Sequence, residues 1–264
     1  MKKLDGKVVL ITGASKGIGL GCGLAVLRHG GRVAALALDA EECSSEYTRA
    51  GHSVGKDVLP INCDVRDAAA MAAAFSGTLD HFGVLDGLIN NAGWHPPAMT
   101  IEETSLEDFE SLVKLNLTST FVCCKLAIPH LRKTQGAIVI MSSEVALLGQ
   151  GAAPSYVATK AGQLGLMRAL ALDLAPENVR VNAVCPAGVM TPLMNEWAAT
   201  QYDPSAALKQ VDNWHPMGRM ATIDEMGEVC AFLLSRESSF VTGQVICPDG
   251  GASLGYADKA PRKS

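Results

Sequence analysis

Lys7-Val8-Val9-Leu10-Ile11-Thr12-Gly13-Ala14-Ser15-Lys16-Gly17-Ile18-Gly19 is the stretch that decides how this chain is read. Its first half is an apolar run, the pattern of a parallel strand buried on both faces. Three glycines spaced GxxxGxG follow, and Leu20 to His29 then reads as a helix stopped by Gly30-Gly31. Glycines in such a turn let the backbone approach a pyrophosphate closely. The helix start adds free N–H groups and the positive end of the helix dipole. A plain tight turn also uses glycine, but the strand before and the helix after favour dinucleotide binding. Gly13, Ser15, Lys16, Gly17, Ile18 and Gly19 are the candidate contacts.

The same rhythm continues downstream. Arg32 to Leu38 is a second strand ending at Asp39, an acid that can take ribose hydroxyls or cap the helix begun by Ala40-Glu41-Glu42. Val58 to Cys63 is a third strand closed by Asp64-Val65, followed by a helix over Asp67 to Phe82. Leu85 to Ile89 leads into Asn90-Asn91-Ala92-Gly93. Repeated βα units predict an α/β fold: a single-domain, doubly wound parallel sheet of about seven strands with helices on both faces. The whole chain, 1–264, reads as that one domain, with the irregular stretch at about 190–220 expected to be a mobile lid.

Composition narrows the function classes. At 264 residues, with 48% hydrophobic and 19% charged residues, the chain can build a sizeable core. A net charge of −5 gives no reason to expect a nucleic-acid or membrane-surface partner. We expect no secretory signal and no membrane span, because no stretch of about 18 apolar residues stands out. The eight cysteines show no CxxC spacing and no histidines at ligand spacing, so no metal is expected. A disulfide-free cytoplasmic protein is the simplest account.

The chemistry is expected at the fifth strand, Ala137 to Met141, and the helix Ser155 to Leu174. Tyr156 and Lys160 stand four apart on that helix and so share a face. A nearby ammonium pulls a phenol pKa down from about 10, making Tyr156 a proton carrier near neutral pH. Ser143, at the carboxyl end of the strand, can hold a substrate oxygen beside it. Asn116 lies inside Leu106 to Arg132, which reads as one long helix or two, where propensity disfavours it. A buried hydrogen bond would account for it. His95 follows the fourth strand and can touch substrate or merely fill a loop.

The glycine motif Thr12 to Gly19, Asn90-Asn91-Ala92-Gly93, Asn116, Ser143 and Tyr156-xxx-Lys160, in this order, resemble the short-chain dehydrogenase/reductase family over Leu4 to Gly255. Within it, Asn91 to Pro97, Leu131 to Gly136, Pro216 to Met220 and Gly250 to Tyr256 are similar to a subgroup of 17β-hydroxysteroid dehydrogenases whose relatives oxidise L-fucose and similar polyols. The resemblance implies an NAD-dependent, cytoplasmic homotetramer. It implies Tyr156 as general acid/base, Lys160 lowering its pKa and holding the nicotinamide ribose, and Ser143 on the substrate oxygen. Asn116 would anchor a proton-relay water. Cofactor contacts are implied at Asp39, Asp64, Val65, Asn91, Ala92, Gly93, Pro186, Gly188, Val189 and Thr191 besides the glycine turn, Tyr156 and Lys160. Substrate contacts are expected at His95, Ser143, Gln150, Met190, Leu193, Trp197 and Tyr256.

Two positions depart from the family pattern. Ala37 occupies the usual ribose-binding Asp position and Leu38 follows it; Asp39, two residues on, still repels a 2′-phosphate, whereas Lys16 would welcome one. NAD is therefore preferred over NADP. Ala187 replaces the glycine usual after Pro186, and if that backbone needs positive φ it costs about 1 kcal/mol. The expected function is hydride transfer between nicotinamide and a secondary alcohol, steroid-like or sugar-like. An NADPH-dependent carbonyl reductase and a non-catalytic dinucleotide-binding regulator are the alternatives.

Overall fold

The computed structural model describes residues 2–255. Seven parallel strands form one sheet in the order β3-β2-β1-β4-β5-β6-β7. They are β1 Val8–Thr12, β2 Arg32–Ala37, β3 Val58–Asn62, β4 Gly87–Asn90, β5 Ala137–Met141, β6 Arg180–Val184 and the two-residue β7 Val245–Ile246. The chain reverses its direction of travel across the sheet between β1 and β4, and ligands of open α/β sheets bind at the carboxyl ends of the strands beside such a reversal.

Alternation along each strand sorts the core into two layers. Val8 and Leu10 face one side with Ile138 and Ile140, while Val9 and Ile11 face the other with Ile89 and Val139. The first layer is closed by α3 (Ala68–Phe82), α5 (Ser119–Thr134) and α7 (Pro154–Leu174). The second is closed by α1 (Gly17–Arg28), α2 (Ala40–Arg49) and α10 (Ile223–Leu234). α1 meets α10 backbone to backbone: a Cβ on Gly21 would lie 2.2 Å from the Ile223 carbonyl oxygen, and one on Gly227 would lie 2.3 Å from that of Gly21.

Several sequence-based boundaries shift. Of the one helix or two expected over Leu106 to Arg132, the structure has two, α4 (Leu106–Val113) and α5, joined through a π-helical segment, Lys114–Thr118. This 29-residue run is long and apolar enough to cross a membrane; here one side of it, with Cys123, Cys124, Ala127 and Leu131, is buried against the sheet. A short α6, Val145–Leu148, follows β5. The stretch expected to be an irregular lid contains two helices, α8 (Pro192–Ala199) and α9 (Pro204–Trp214). Both begin with proline at the first helical turn behind a capping side chain, Thr191 or Asp203. The lid segment is thus built from capped helices; its polar faces hid the period. All eight cysteines are free, and only Cys247 is not fully buried.

Candidate active site

The glycine turn leaves β1 with Gly13 at φ +65° and Gly17 at φ +57°, conformations that L side chains rarely adopt. A Cβ on Gly19 would lie 2.0 Å from the Gly13 carbonyl oxygen, so only glycine permits this closure. Asn91, at the end of β4, ties the turn down: its side-chain amide donates to the carbonyls of Thr12 and Gly13 at 3.0 and 3.1 Å. The Thr12 hydroxyl in turn accepts from the backbone of Asn91 and Ala92, each at 3.0 Å. At the start of α1 the Lys16 side chain makes no capping bond and the first turn holds no acid. α2, α3 and α10, by contrast, are capped by Asp39, Asp67 and Thr222. A cradle that excludes any Cβ, followed by uncapped helix N–H groups, fits a dinucleotide pyrophosphate.

The far side of the cradle is the segment after β6. Gly188 donates to the His215 ring at 3.1 Å, while the other ring nitrogen donates to the Val211 carbonyl at 2.8 Å. That pair of bonds fixes the imidazole as the neutral tautomer carrying its proton on Nδ1. Gly188 and Met190 also pair with Ala221, at 3.0 and 2.9 Å, leaving Val189 buried between them. The methyl of Thr191 lies 3.6 Å from where a Gly17 Cβ would stand, so this loop borders the glycine turn. Ala187 is not among the non-glycine residues with positive φ, which are Gln135, Ala152 and Asn178 among the described residues. The strain conditionally expected at Ala187 is therefore absent.

α7 presents Tyr156 and Lys160 toward the end of β5. The Ser143 hydroxyl stands near enough to the Tyr156 phenol to favour its ionised form, and the Lys160 ammonium is 5.6 Å from the Tyr156 ring centroid. Lys160 is buried and donates to the Met141 carbonyl at 2.9 Å. Ser142, neighbour of Ser143, donates to the Lys160 carbonyl at 2.9 Å and so fastens α7 to β5. The electrostatics differ from the spacing argument. Burial pushes Tyr156 up to about 12, the Ser143 hydroxyl pulling the other way, and burial pushes Lys160 down to about 8. Burial thus favours the uncharged form of both groups, and a phenolate at Tyr156 has to form against that desolvation.

Asn116 is fully buried in the π-helical segment. Its side-chain oxygen accepts from the Trp94 N–H at 3.0 Å, and its amide donates to the Trp94 carbonyl at 3.0 Å and to Thr159 Oγ1 at 3.2 Å. Its main-chain carbonyl accepts from the Gln163 side chain at 2.7 Å and from the Thr120 hydroxyl at 2.9 Å. Both of its side-chain N–H bonds go to protein. Asn116 brackets the loop after β4 onto α7. A Cβ on Gly93 in that loop would stand 3.1 Å from Asn116 Oδ1 and 3.7 Å from Lys160 Nζ.

His95 lies against Tyr156, and its ring nitrogens contact the Pro96 carbonyl at 2.6 Å and Gln150 Oε1 at 3.0 Å. Of the other expected substrate contacts, Met190, Leu193 and Trp197 are exposed on α8 and its lead-in, and Tyr256 lies outside the described residues. Asp39 caps α2, accepting from the N–H groups of Glu41 and Glu42 at 2.9 Å each. Asp64 is held by Arg66 at 2.7 Å and lies well below the usual carboxylate range for that reason; Val65 beside it is buried. Pro186 accepts from the N–H of Glu144 at 3.0 Å. Sequence reasoning missed Glu144, one of whose carboxylate oxygens is buried without a partner. Burial, then Asp249, pushes it up to about 7. It also missed Thr12, Ser142, Thr159 and His215, whose work lies in bonds between distant elements that no local spacing signals.

Comparison with known proteins follows the geometry. The family described as Enoyl-(Acyl carrier protein) reductase matches residues 13–253. The chain is 40% identical over 259 residues to the L-fucose dehydrogenase of Bos taurus, covering 97% of this chain and 92% of that protein. The solved structure of Thermoplasma acidophilum aldohexose dehydrogenase in ligand-free form superposes with a TM-score of 0.87 at 31% identity, covering 98% of this chain and 99% of that one. Levodione reductase superposes with a TM-score of 0.91 at 28% identity, covering 96% and 100%. The glycine cradle, the Ser143-Tyr156-Lys160 cluster and these likenesses agree: the chain belongs to the short-chain dehydrogenase/reductase family.

Proposed function

We propose that this protein is an NAD-dependent dehydrogenase of a secondary hydroxyl on a sugar or related polyol, L-fucose being the first candidate. The observation that carries the reading is the meeting of Ser143, Tyr156 and Lys160 at the carboxyl end of β5, beside a glycine cradle. Bound nicotinamide supplies the hydride acceptor or donor. Tyr156 exchanges the proton of the substrate oxygen, and Ser143 holds that oxygen and stabilises charge developing on it. Lys160, buried behind the phenol, supplies positive charge that favours proton loss as the site fills. His95 and Gln150 form a polar wall over Tyr156 that suits a hydroxylated substrate better than a steroid skeleton. Likeness to L-fucose and aldohexose dehydrogenases supports the same choice.

Residues 37–39 support NAD. Ala37 is buried, Leu38 is 71% exposed, and the Asp39 carboxylate is fixed at the head of α2. A fixed carboxylate there disfavours the 2′-phosphate of NADP. We further read the enzyme as a cytoplasmic homotetramer, in keeping with exposed Leu106, Phe121 and Leu172 on α4, α5 and α7.

Purified protein with NAD or NADP and a panel of L-fucose, other aldohexoses, estradiol and simple secondary alcohols tests the proposal. Reduced-nicotinamide absorbance should grow with NAD and a sugar. Estradiol as the one good substrate would return the reading to a steroid dehydrogenase. Faster turnover with NADPH and carbonyls would make it a carbonyl reductase, and silence across the panel would favour a regulator. Light scattering reads the oligomer.

A further inference from the structure

Tyr47, on α2, is the largest fully buried side chain among the described residues. Room for it exists because position 23 on α1 is glycine: a Cβ there would stand 1.9 Å from the phenol oxygen and 2.8 Å from Cζ. The ring therefore passes over the backbone of α1, and its hydroxyl donates to the carbonyl of Ala14 at 3.3 Å. Ala14 sits inside the glycine turn, between Gly13 and Gly17. Its N–H already donates to the Leu36 carbonyl of β2 at 3.0 Å. Both polar edges of this one residue are thus held, one by the sheet and one by α2.

Filling space over Gly23 needs no hydroxyl. A buried O–H without a partner is costly, so a phenylalanine would be the cheaper filler if volume alone mattered. Burial keeps this phenol protonated well above its ordinary range, and so a donor, with the neighbouring Cys43 and Cys22 acting in the same direction. The helix that carries Tyr47 also carries Asp39 at its head. One helix therefore reaches the glycine turn through Tyr47 and carries at its head the acid read above as favouring NAD.

We propose that Tyr47 is a positioning residue for dinucleotide binding, its hydroxyl holding Ala14 so that the Gly13–Gly17 turn keeps its cradle shape before cofactor arrives. This rests on reading that turn as the cofactor cradle. Tyr47 touches no cofactor and acts through the Ala14 peptide.

Tyr47→Phe keeps the ring and removes the one bond. Two measurements test it: the NADH dissociation constant from fluorescence, and amide exchange at Ala14 to Gly19 in the nucleotide-free protein. The variant should bind NADH about five-fold more weakly, the worth of one hydrogen bond, with exchange in the turn faster by a similar factor. Its kcat at saturating cofactor should be unchanged. Tyr47→Leu, which also loses the ring, should weaken binding at least as much and lower the melting temperature. Unchanged NADH affinity in Tyr47→Phe overturns the proposal, as does faster exchange spread evenly over α1 and β2. If the wild type binds neither NADH nor NADPH, the proposed function fails; unaltered exchange in Tyr47→Phe would then refute the hold on Ala14 as well.

Discussion

The imidazole of His95 lies against the phenol of Tyr156, ring centroids 4.2 Å apart and planes inclined by 47°. The proposed proton carrier and a substrate-facing candidate are therefore one packed unit, with Gln150 tied on through His95. Removing the ring should loosen substrate positioning without touching the cradle around Gly13. His95→Ala should raise the KM for the alcohol about ten-fold, an energy of about 1.4 kcal/mol, and leave the NADH dissociation constant unchanged. Tyr156→Phe should lose about a hundred-fold or more in kcat with cofactor binding intact. Steady-state kinetics paired with NADH fluorescence separates the two effects.

The two shifted groups at the site set opposite pH responses. Lys160 titrates at about 8 when folded and at the ordinary 10.5 when unfolded. Between those values the unfolded chain binds the extra proton, so stability rises with pH across about 8 to 10.5 and this contribution is lost as pH falls through 8. Lys160→Met should flatten that rise in melting temperature. Tyr156 has the reverse sign, its folded value near 12 against 10 unfolded, so its contribution declines above pH 10. In turnover, a buried phenol favours carbonyl reduction, and alcohol oxidation should climb from pH 6 toward 8, where Lys160 still carries its charge. A flat oxidation profile from pH 6 to 9 would contradict this.

Asn116 distinguishes a bracket from a relay. Truncation to alanine strands the Trp94 N–H and carbonyl and the Thr159 hydroxyl, and each buried group left unpaired costs about 1–3 kcal/mol. Asn116→Ala should therefore lower the melting temperature sharply as well as activity. A purely relaying residue would lower activity alone.

Asp39 serves α2 whatever it does for cofactor, since its carboxylate accepts from two N–H groups. Serine retains a cap and removes the charge, while alanine removes both. Asp39→Ser should hold its melting temperature and gain NADPH affinity relative to NADH. Asp39→Ala should also lose about 1 kcal/mol of stability, read by denaturant titration.

What the sequence showed and what it hid divide along a physical line. Gly13, Gly17 and Gly19 were legible because positive φ and a 2.0 Å approach admit nothing else. Tyr156 and Lys160 were legible because helical periodicity places them on one face. Their pKa values were not, because desolvation depends on everything packed around them and opposes the charged form of each. Ala187 carried a strain only while its backbone was unknown. The bond from Tyr47 to Ala14 joins positions 33 apart in sequence, and His215 reaches Gly188 across 27. Neither pairing leaves a mark on local pattern. Membership of the sheet, by contrast, was written in runs of Val, Ile, Leu and Ala that only a two-sided core explains.

The π-helical segment Lys114–Thr118 makes this helix a counting device. A π turn holds one residue more than the α turn it replaces. Deleting a single residue between Leu115 and Thr118 would let the backbone close into ordinary helix. α4 and α5 would stay nearly in phase, because the π turn had absorbed the extra residue within one turn. What would change is the local aim of the segment, which now sets the Asn116 amide on Trp94 and its carbonyl on Gln163. Position 116 is therefore specified by chain length as much as by residue type, and in a redesign of this helix a swapped side chain is a smaller intervention than a missing one.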